Sequence, residues 1–291
     1  MSRNKTSIQL YEMNDGLFAI KGILRVNQNT LIKGFFYIDT GSNINLVRQS
    51  IIHKTERQNQ SAVFLGIGNS VSNAKETNLN FAVENHNAFH DISFIEIEDN
   101  AVKRWNNDAI GILGYVFLRR YKLVIDFDQR VIYPNDLYHM KMPVYKMRYH
   151  YHNNKTLSFL DLPIISISDG IDYYHGIIDS GSTNNLISLS TVDRSNFSYF
   201  ISNFNKTNNI SSIGCIAESI TSVIGFSISC TSKTGVMSKI TLSDKFEIIL
   251  ANECLLTIEG AKSNIDIVLG IEFLKKHKCV IDCGRGVLYI N

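Results

Sequence analysis

Two aspartates stand in nearly the same local sequence, 140 residues apart. Asp39 lies in Phe36-Tyr37-Ile38-Asp39-Thr40-Gly41-Ser42, and Asp179 in Ile177-Ile178-Asp179-Ser180-Gly181-Ser182. Each follows an apolar, β-rich run and enters a turn of small residues. Asp, Gly and Ser are ordinary turn residues, so one copy alone says little. Two copies say more. Carboxylates brought within hydrogen-bonding reach cannot both ionise, so one proton is shared and their titrations separate. The ionised member can take a proton from water, and the protonated member can donate to a carbonyl oxygen. That is hydrolysis by general acid–base catalysis, without a metal or a covalent intermediate. Gly41 and Gly181 let the chain turn tightly beneath the carboxylates. Thr40 and Ser180 carry hydroxyls able to bond from one loop to the other. Ser42 and Ser182 are expected to donate their hydroxyls to the outer carboxylate oxygens.

A wider repeat must position these loops. Ile112-Leu113-Gly114 follows the first Asp motif and Val268-Leu269-Gly270 the second. From Gly114 to Tyr133 and from Gly270 to Tyr289 the two copies align without a gap, and nine of the twenty positions are identical. The interval from Asp to Gly is 75 residues in the first half and 91 in the second. The Asn-rich stretch 195–212 suits part of that insertion. Residues 17–26 and 31–38 read as strands around Asn27-Gln28-Asn29, and 162–168 and 171–178 as strands around Asp169-Gly170. Short helices are expected at 115–122 and 271–278, where basic residues gather in the last turn. Two similar halves pack most readily about a pseudo-twofold axis, which would bring Asp39 and Asp179 together.

Composition bounds the rest. The 291 residues carry 29 Lys and Arg against 27 Asp and Glu, a net charge of +2 that argues against a nucleic-acid or anionic-membrane surface. Hydrophobic residues make up 44%, enough for a sizeable core. No apolar run approaches the length of a membrane span, and the polar start of the chain has no apolar segment behind it. The five cysteines, all in the second half, read as free thiols. These features set the expectation of a cytoplasmic protein. The pairs His86/His90 and His150/His152 lie in polar segments without the pattern of a zinc hydrolase, so no metal is expected.

The four motifs in repeated order resemble the clan of pepsin-like and retropepsin-like aspartic proteases. The carrying residues are Asp39-Thr40-Gly41-Ser42, Asp179-Ser180-Gly181-Ser182, Ile112-Leu113-Gly114 and Val268-Leu269-Gly270. The likeness covers most of residues 15–135 and 160–291, and the halves look like two bacterial-type retropepsin-like units fused in one chain. It implies a mainly β, bilobal acid-protease fold with two pseudo-twofold-related, β-barrel-like lobes and short helices. The N-terminal lobe is placed at 1–140, an interlobe linker at 141–158 and the C-terminal lobe at 159–291. It implies an aspartic endopeptidase with Asp39 and Asp179 as the catalytic pair, no cofactor, an extended peptide as substrate, and a monomer, since one chain holds both half-sites.

In this clan a β-hairpin flap closes over the substrate. Gly66 and Gly68 mark a flap candidate in the first lobe and Gly214 one in the second. No tyrosine occurs between Ile38 and Trp105, so a pepsin-type flap tyrosine has no candidate. Ser after each Gly implies activity at acidic pH, which conflicts with a near-neutral cytoplasm. Two other readings remain. One is a catalytically silent peptide-binding or scaffold protein that keeps the protease fold. The other is a self-processing form in which residues 1–15 block the site.

Overall fold

A computed structural model of the chain describes residues 7–52, 60–65, 71–85, 90–99, 102, 105–134, 147–150, 162–201, 208–212, 215–231, 237–250 and 265–290. The N-terminal half holds β1 (Ile8–Gln9), β2 (Tyr11–Glu12), β3 (Phe18–Arg25), β4 (Leu31–Asp39), β5 (Leu46–Arg48), β6 (Gln60–Leu65), β7 (Val71–Val83), β8 (His90–Ile97), β9 (Ala109–Gly114), β10 (Leu123–Asp126) and β11 (Val131–Pro134). The C-terminal half holds β12 (Met147–His150), β13 (Ile164–Ser168), β14 (Tyr173–Ile178), β15 (Leu186–Ser188), β16 (Ser198–Ile201), β17 (Asn208–Ser212), β18 (Cys215–Thr231), β19 (Met237–Ile249), β20 (Ile267–Leu269), β21 (Val280–Asp282) and β22 (Val287–Ile290). The strands are rich in β-branched and aromatic residues, which suit a pleated surface buried on at least one face.

Each half closes a barrel of six strands. In the first, β3 pairs with β4, β4 runs parallel to β9, β9 pairs with β5, β5 runs parallel to β8, and β8 and β7 lead back to β3. In the second, β13, β14, β20, β15, β19 and β18 repeat the same order and the same strand directions. Closure leaves neither barrel an open edge of its own. The interior is aromatic. Phe36 meets Phe81 edge-on at 4.9 Å, and Phe226 meets Phe246 at 5.7 Å. Phe117 and Phe273, from the short helices Tyr115–Arg120 and Ile271–Lys276, pack against these clusters. Burying one such ring contributes about 1.5–3 kcal/mol.

A run of six strands, β1-β11-β10-β21-β22-β12, joins the halves and continues from β12 into β18 of the second barrel. Its centre is two-fold symmetric: Ile125 pairs with Ile281, Val124 with Asp282 and Asp126 with Val280. Beneath it Val124, Val131 and Tyr133 pack with their repeat equivalents Val280, Val287 and Tyr289. Strand β12 lies inside the range 141–158 expected as linker, and extends this sheet on the C-terminal side. Strand β16, inside the expected insertion 195–212, has no counterpart among the described residues of the first half. Asp126 accepts from the backbone N–H of Asp128 and Gln129, and Asp282 from that of Arg285, so both carboxylates shape hairpin turns. Cys279 and Cys283 are both buried. Among the described residues no helix is long and apolar enough to cross a membrane.

Candidate active site

Strand β4 ends at Asp39, opposite Gly114 of the parallel neighbour β9. Asp179 directly follows β14, and its N–H donates to the Leu269 carbonyl of β20. The same parallel pairing therefore carries each aspartate to the same end of its barrel. There the chain turns at once. The Gly41 N–H donates to Asp39 Oδ1 at 2.9 Å, and the Gly181 N–H to Asp179 Oδ1 at 2.8 Å.

The two turns interlock. The Thr40 N–H donates to Ser180 Oγ at 3.0 Å, and the Ser180 N–H donates to Thr40 Oγ1 at 2.9 Å. The hydroxyls donate onward, Thr40 to the Ile178 carbonyl and Ser180 to the Ile38 carbonyl, both at 2.7 Å. Both residues are fully buried. Each carboxyl group then lies over the glycine of the opposite loop. A Cβ on Gly41 would come within 2.3 Å of Asp179 Cγ, and one on Gly181 within 2.4 Å of Asp39 Cγ. A side chain at either position would take the place of the facing carboxyl group.

Asp39 and Asp179 face each other across the two glycines and act on each other's titration. Burial raises both. Asp39, which also faces the charge of Asp179, is held well above the ordinary carboxylate range. The N–H groups of Gly41 and Ser42 only partly offset this. Asp179 is raised by burial too, but Asp39 and the N–H groups of Gly181, Ser182 and Gly41 favour its charged form. The two carboxyl groups therefore share one proton over a range where a lone carboxyl group would already be ionised. Asp179 is 9% exposed and Asp39 half-buried.

The expected role of the two serines is corrected. Ser42 Oγ donates to the Ile44 carbonyl at 3.0 Å and Ser182 Oγ to the Asn184 carbonyl at 2.8 Å. The turn folds each hydroxyl back over its own loop, while the N–H of Ser42 and of Ser182 donates to the main-chain carbonyl of Asp39 and Asp179, at 3.4 and 3.3 Å, and favours the charged carboxylate nearby.

Two residues that sequence reasoning passed over lock the loops from behind. Asn45 Oδ1 accepts from the Gly114 N–H at 2.9 Å, while its Nδ2 donates to the Ser93 carbonyl at 3.0 Å. Asn185 repeats this with the Gly270 N–H at 2.9 Å and the Lys245 carbonyl at 2.9 Å. Gly114 and Gly270 must be glycine, since a Cβ would meet the carbonyl oxygens of Ile44 and Asn184 at 2.1 and 2.3 Å. The signal was present: an asparagine stands six residues after each aspartate.

The flap candidates Gly66, Gly68 and Gly214 lie outside the described residues, as do His86, His152 and Cys254. The strands on either side are described. β6 pairs with β7 up to Leu65↔Val71, and β17 with β18 up to Ser212↔Cys215, so each candidate falls between two paired strands. Trp105 packs edge-on to Tyr37 at 5.9 Å and beneath the Arg48 guanidinium, on the outer face of the first barrel. Tyr37 in turn donates its hydroxyl to Asp15. Of residues 1–15, residues 8–12 run through β1 and β2, with Glu12 tied to Lys275 and Arg130.

Two barrels of one topology, joined across a two-fold run of strands and meeting where the Asp39 and Asp179 loops interlock, define a duplicated, mainly β protein. No protein-family model matches this sequence, and no curated protein matches it.

Proposed function

We propose that the chain is an aspartic endopeptidase in which Asp39 and Asp179 hydrolyse a peptide bond through a water held between them. The observation that carries this reading is the facing pair of Asp39 and Asp179, each carboxyl group over the glycine of the opposite loop, held by the reciprocal Thr40–Ser180 bonds and raised by burial. Asp179 takes a proton from the water as its oxygen attacks the carbonyl carbon. Asp39 donates its proton to the carbonyl oxygen, giving a tetrahedral diol. Collapse of the diol breaks the C–N bond as a proton passes to the leaving nitrogen, and the pair returns to its one-proton state. Such acid–base assistance accelerates a step by roughly 10²–10⁴-fold. The substrate is an extended peptide, gripped through its backbone as an added strand, which accords with a surface of low net charge. Because one chain supplies both aspartates, the monomer is the active unit.

The test is digestion of a peptide library between pH 3 and pH 8. Cleavage by the native chain, eluting as a monomer, and its loss in both Asp39→Asn and Asp179→Asn with a cooperative unfolding transition retained, is the expected result. Full activity in either variant overturns the mechanism. The raised titration of Asp39 sets the upper limb of the pH profile, which should fall only above the ordinary carboxylate range.

A further inference from the structure

The internal repeat allows the surroundings of the two loops to be compared position by position. Ser93 and Lys245 are equivalent, since their carbonyls accept from Asn45 and Asn185. Ile92 therefore matches Asp244. Counting from Gly114 and Gly270, Val116 matches Glu272, Arg120 matches Lys276 and Tyr121 matches His277. In the C-terminal lobe charged groups pair across this region. Buried Asp244 accepts from Lys276 Nζ at 2.7 Å and pairs with His277 Nε2 at 2.8 Å. Lys245 Nζ lies 3.7 Å from Glu247 and 3.9 Å from Glu272.

The N-terminal lobe lacks every one of these pairs. Ile92, Ser93, Val116 and Tyr121 cannot form them, and a recess of about 390 Å³ opens between residues 43–45, strands β7 and β8, and the helix Tyr115–Arg120. Ile92, Val116 and Phe117 form its apolar wall. Glu76 lies on one side, accepting from the Ser93 hydroxyl. Arg120 lies on the lining too, exposed and over the Tyr121 ring, with no carboxylate partner among the described residues. The volume falls within the range of small-molecule sites.

An apolar wall flanked by a cation and an anion fits a molecule that is apolar in its body and charged at its ends. The guanidinium of Arg120 suits a carboxylate, and Glu76 suits an ammonium or amide N–H. We propose that this recess binds short apolar peptides carrying a free carboxylate. An occupant would press on residues 43–45, including Asn45, which holds the loop that follows Asp39. Such peptides are products of the proposed reaction, so a feedback role rests on the peptidase reading, whereas the binding itself does not.

The test is calorimetric titration of leucyl-leucine into the full chain carrying Asp39→Asn, which keeps the probe intact. Saturable one-site binding is expected, with at least about tenfold weakening in Arg120→Met or with the N-acetylated, C-amidated probe. Val116→Glu, which installs the carboxylate of the other lobe, should weaken it likewise. Both variants change exposed side chains. Absence of saturable binding overturns the proposal, as does binding that neither substitution weakens, because the probe then sits elsewhere. A native chain that binds the probe but cleaves no peptide would sink the peptidase reading and leave this site standing.

Discussion

Thr40 and Ser180 each use one hydroxyl twice, accepting from the partner's N–H and donating to a carbonyl at the end of the partner's strand. Four bonds between 2.7 and 3.0 Å leave little freedom between the two loops. The lobes are thereby registered at the point where the carboxyl groups meet. Thr40→Val keeps the shape but strands the Ser180 N–H and the Ile178 carbonyl, so it should cost about 1–3 kcal/mol. Thr40→Ser should restore most of that loss. In a double-mutant cycle with Ser180→Ala, read by urea unfolding, the two changes should be non-additive by about 0.5–3 kcal/mol. Strict additivity would mean that the bonds do not act as a unit.

The glycines facing the carboxyl groups give a sharper test. In Gly181→Ala the new methyl enters the space of Asp39, and displacement of the carboxyl group should abolish peptide cleavage. Overpacking at such a site costs on the order of 1–3 kcal/mol. Native activity together with native stability would contradict the approach of Gly181 to Asp39.

Stability should depend on pH in a direction opposite to that of an ordinary salt-bridged carboxylate. The folded state raises the titration of Asp39 and Asp179, so it binds more protons than the unfolded chain. The folded state is then favoured below the unfolded carboxylate range and loses stability as pH rises through the raised values. Asp39→Asn removes that dependence for one member. Its melting temperature should exceed that of the native chain at pH 7, and the two should converge near pH 3. Each unit of upward shift is equivalent to about 1.4 kcal/mol. A variant less stable than the native chain at pH 7 would contradict burial as the dominant cause.

Asn185→Leu deprives the Gly270 N–H and the Lys245 carbonyl of their partners, inside a buried turn. A loss of about 1–3 kcal/mol per stranded group is expected, with a fall in the rate of cleavage larger than any change in apparent substrate affinity. Asn185→Asp keeps the acceptor and should lose less. An unchanged rate in the leucine variant would show that the loop holds its shape without this clamp.

Several elements were legible in the chain because their causes are local. The strands on either side of residues 27–29 and of Asp169-Gly170 follow from turn residues set between β-rich runs, and the helices after Gly114 and Gly270 follow from their placement and basic ends. The helix Leu189–Arg194 went unread although Ser188 caps it, accepting from the Thr191 N–H at 3.2 Å. Asn45 and Asn185 were equally visible as a repeated spacing, yet their role needs the position of Gly114 and Gly270, which lie far along the chain. The direction of the Ser42 and Ser182 hydroxyls depends on the dihedral angles of the turn, which residue types leave open.

Residue type and spacing alone determined that the chain is duplicated, that each half ends a strand at an aspartate, and that glycine and a hydroxyl residue stand beside it. Such information travels along the backbone. Tertiary structure decided that the two loops interlock and that burial raises the titration of both carboxyl groups. It also decided that a recess opens in one lobe at the place where ion pairs span the other. Desolvation, charge and close packing act through space, between residues that the sequence holds more than a hundred positions apart.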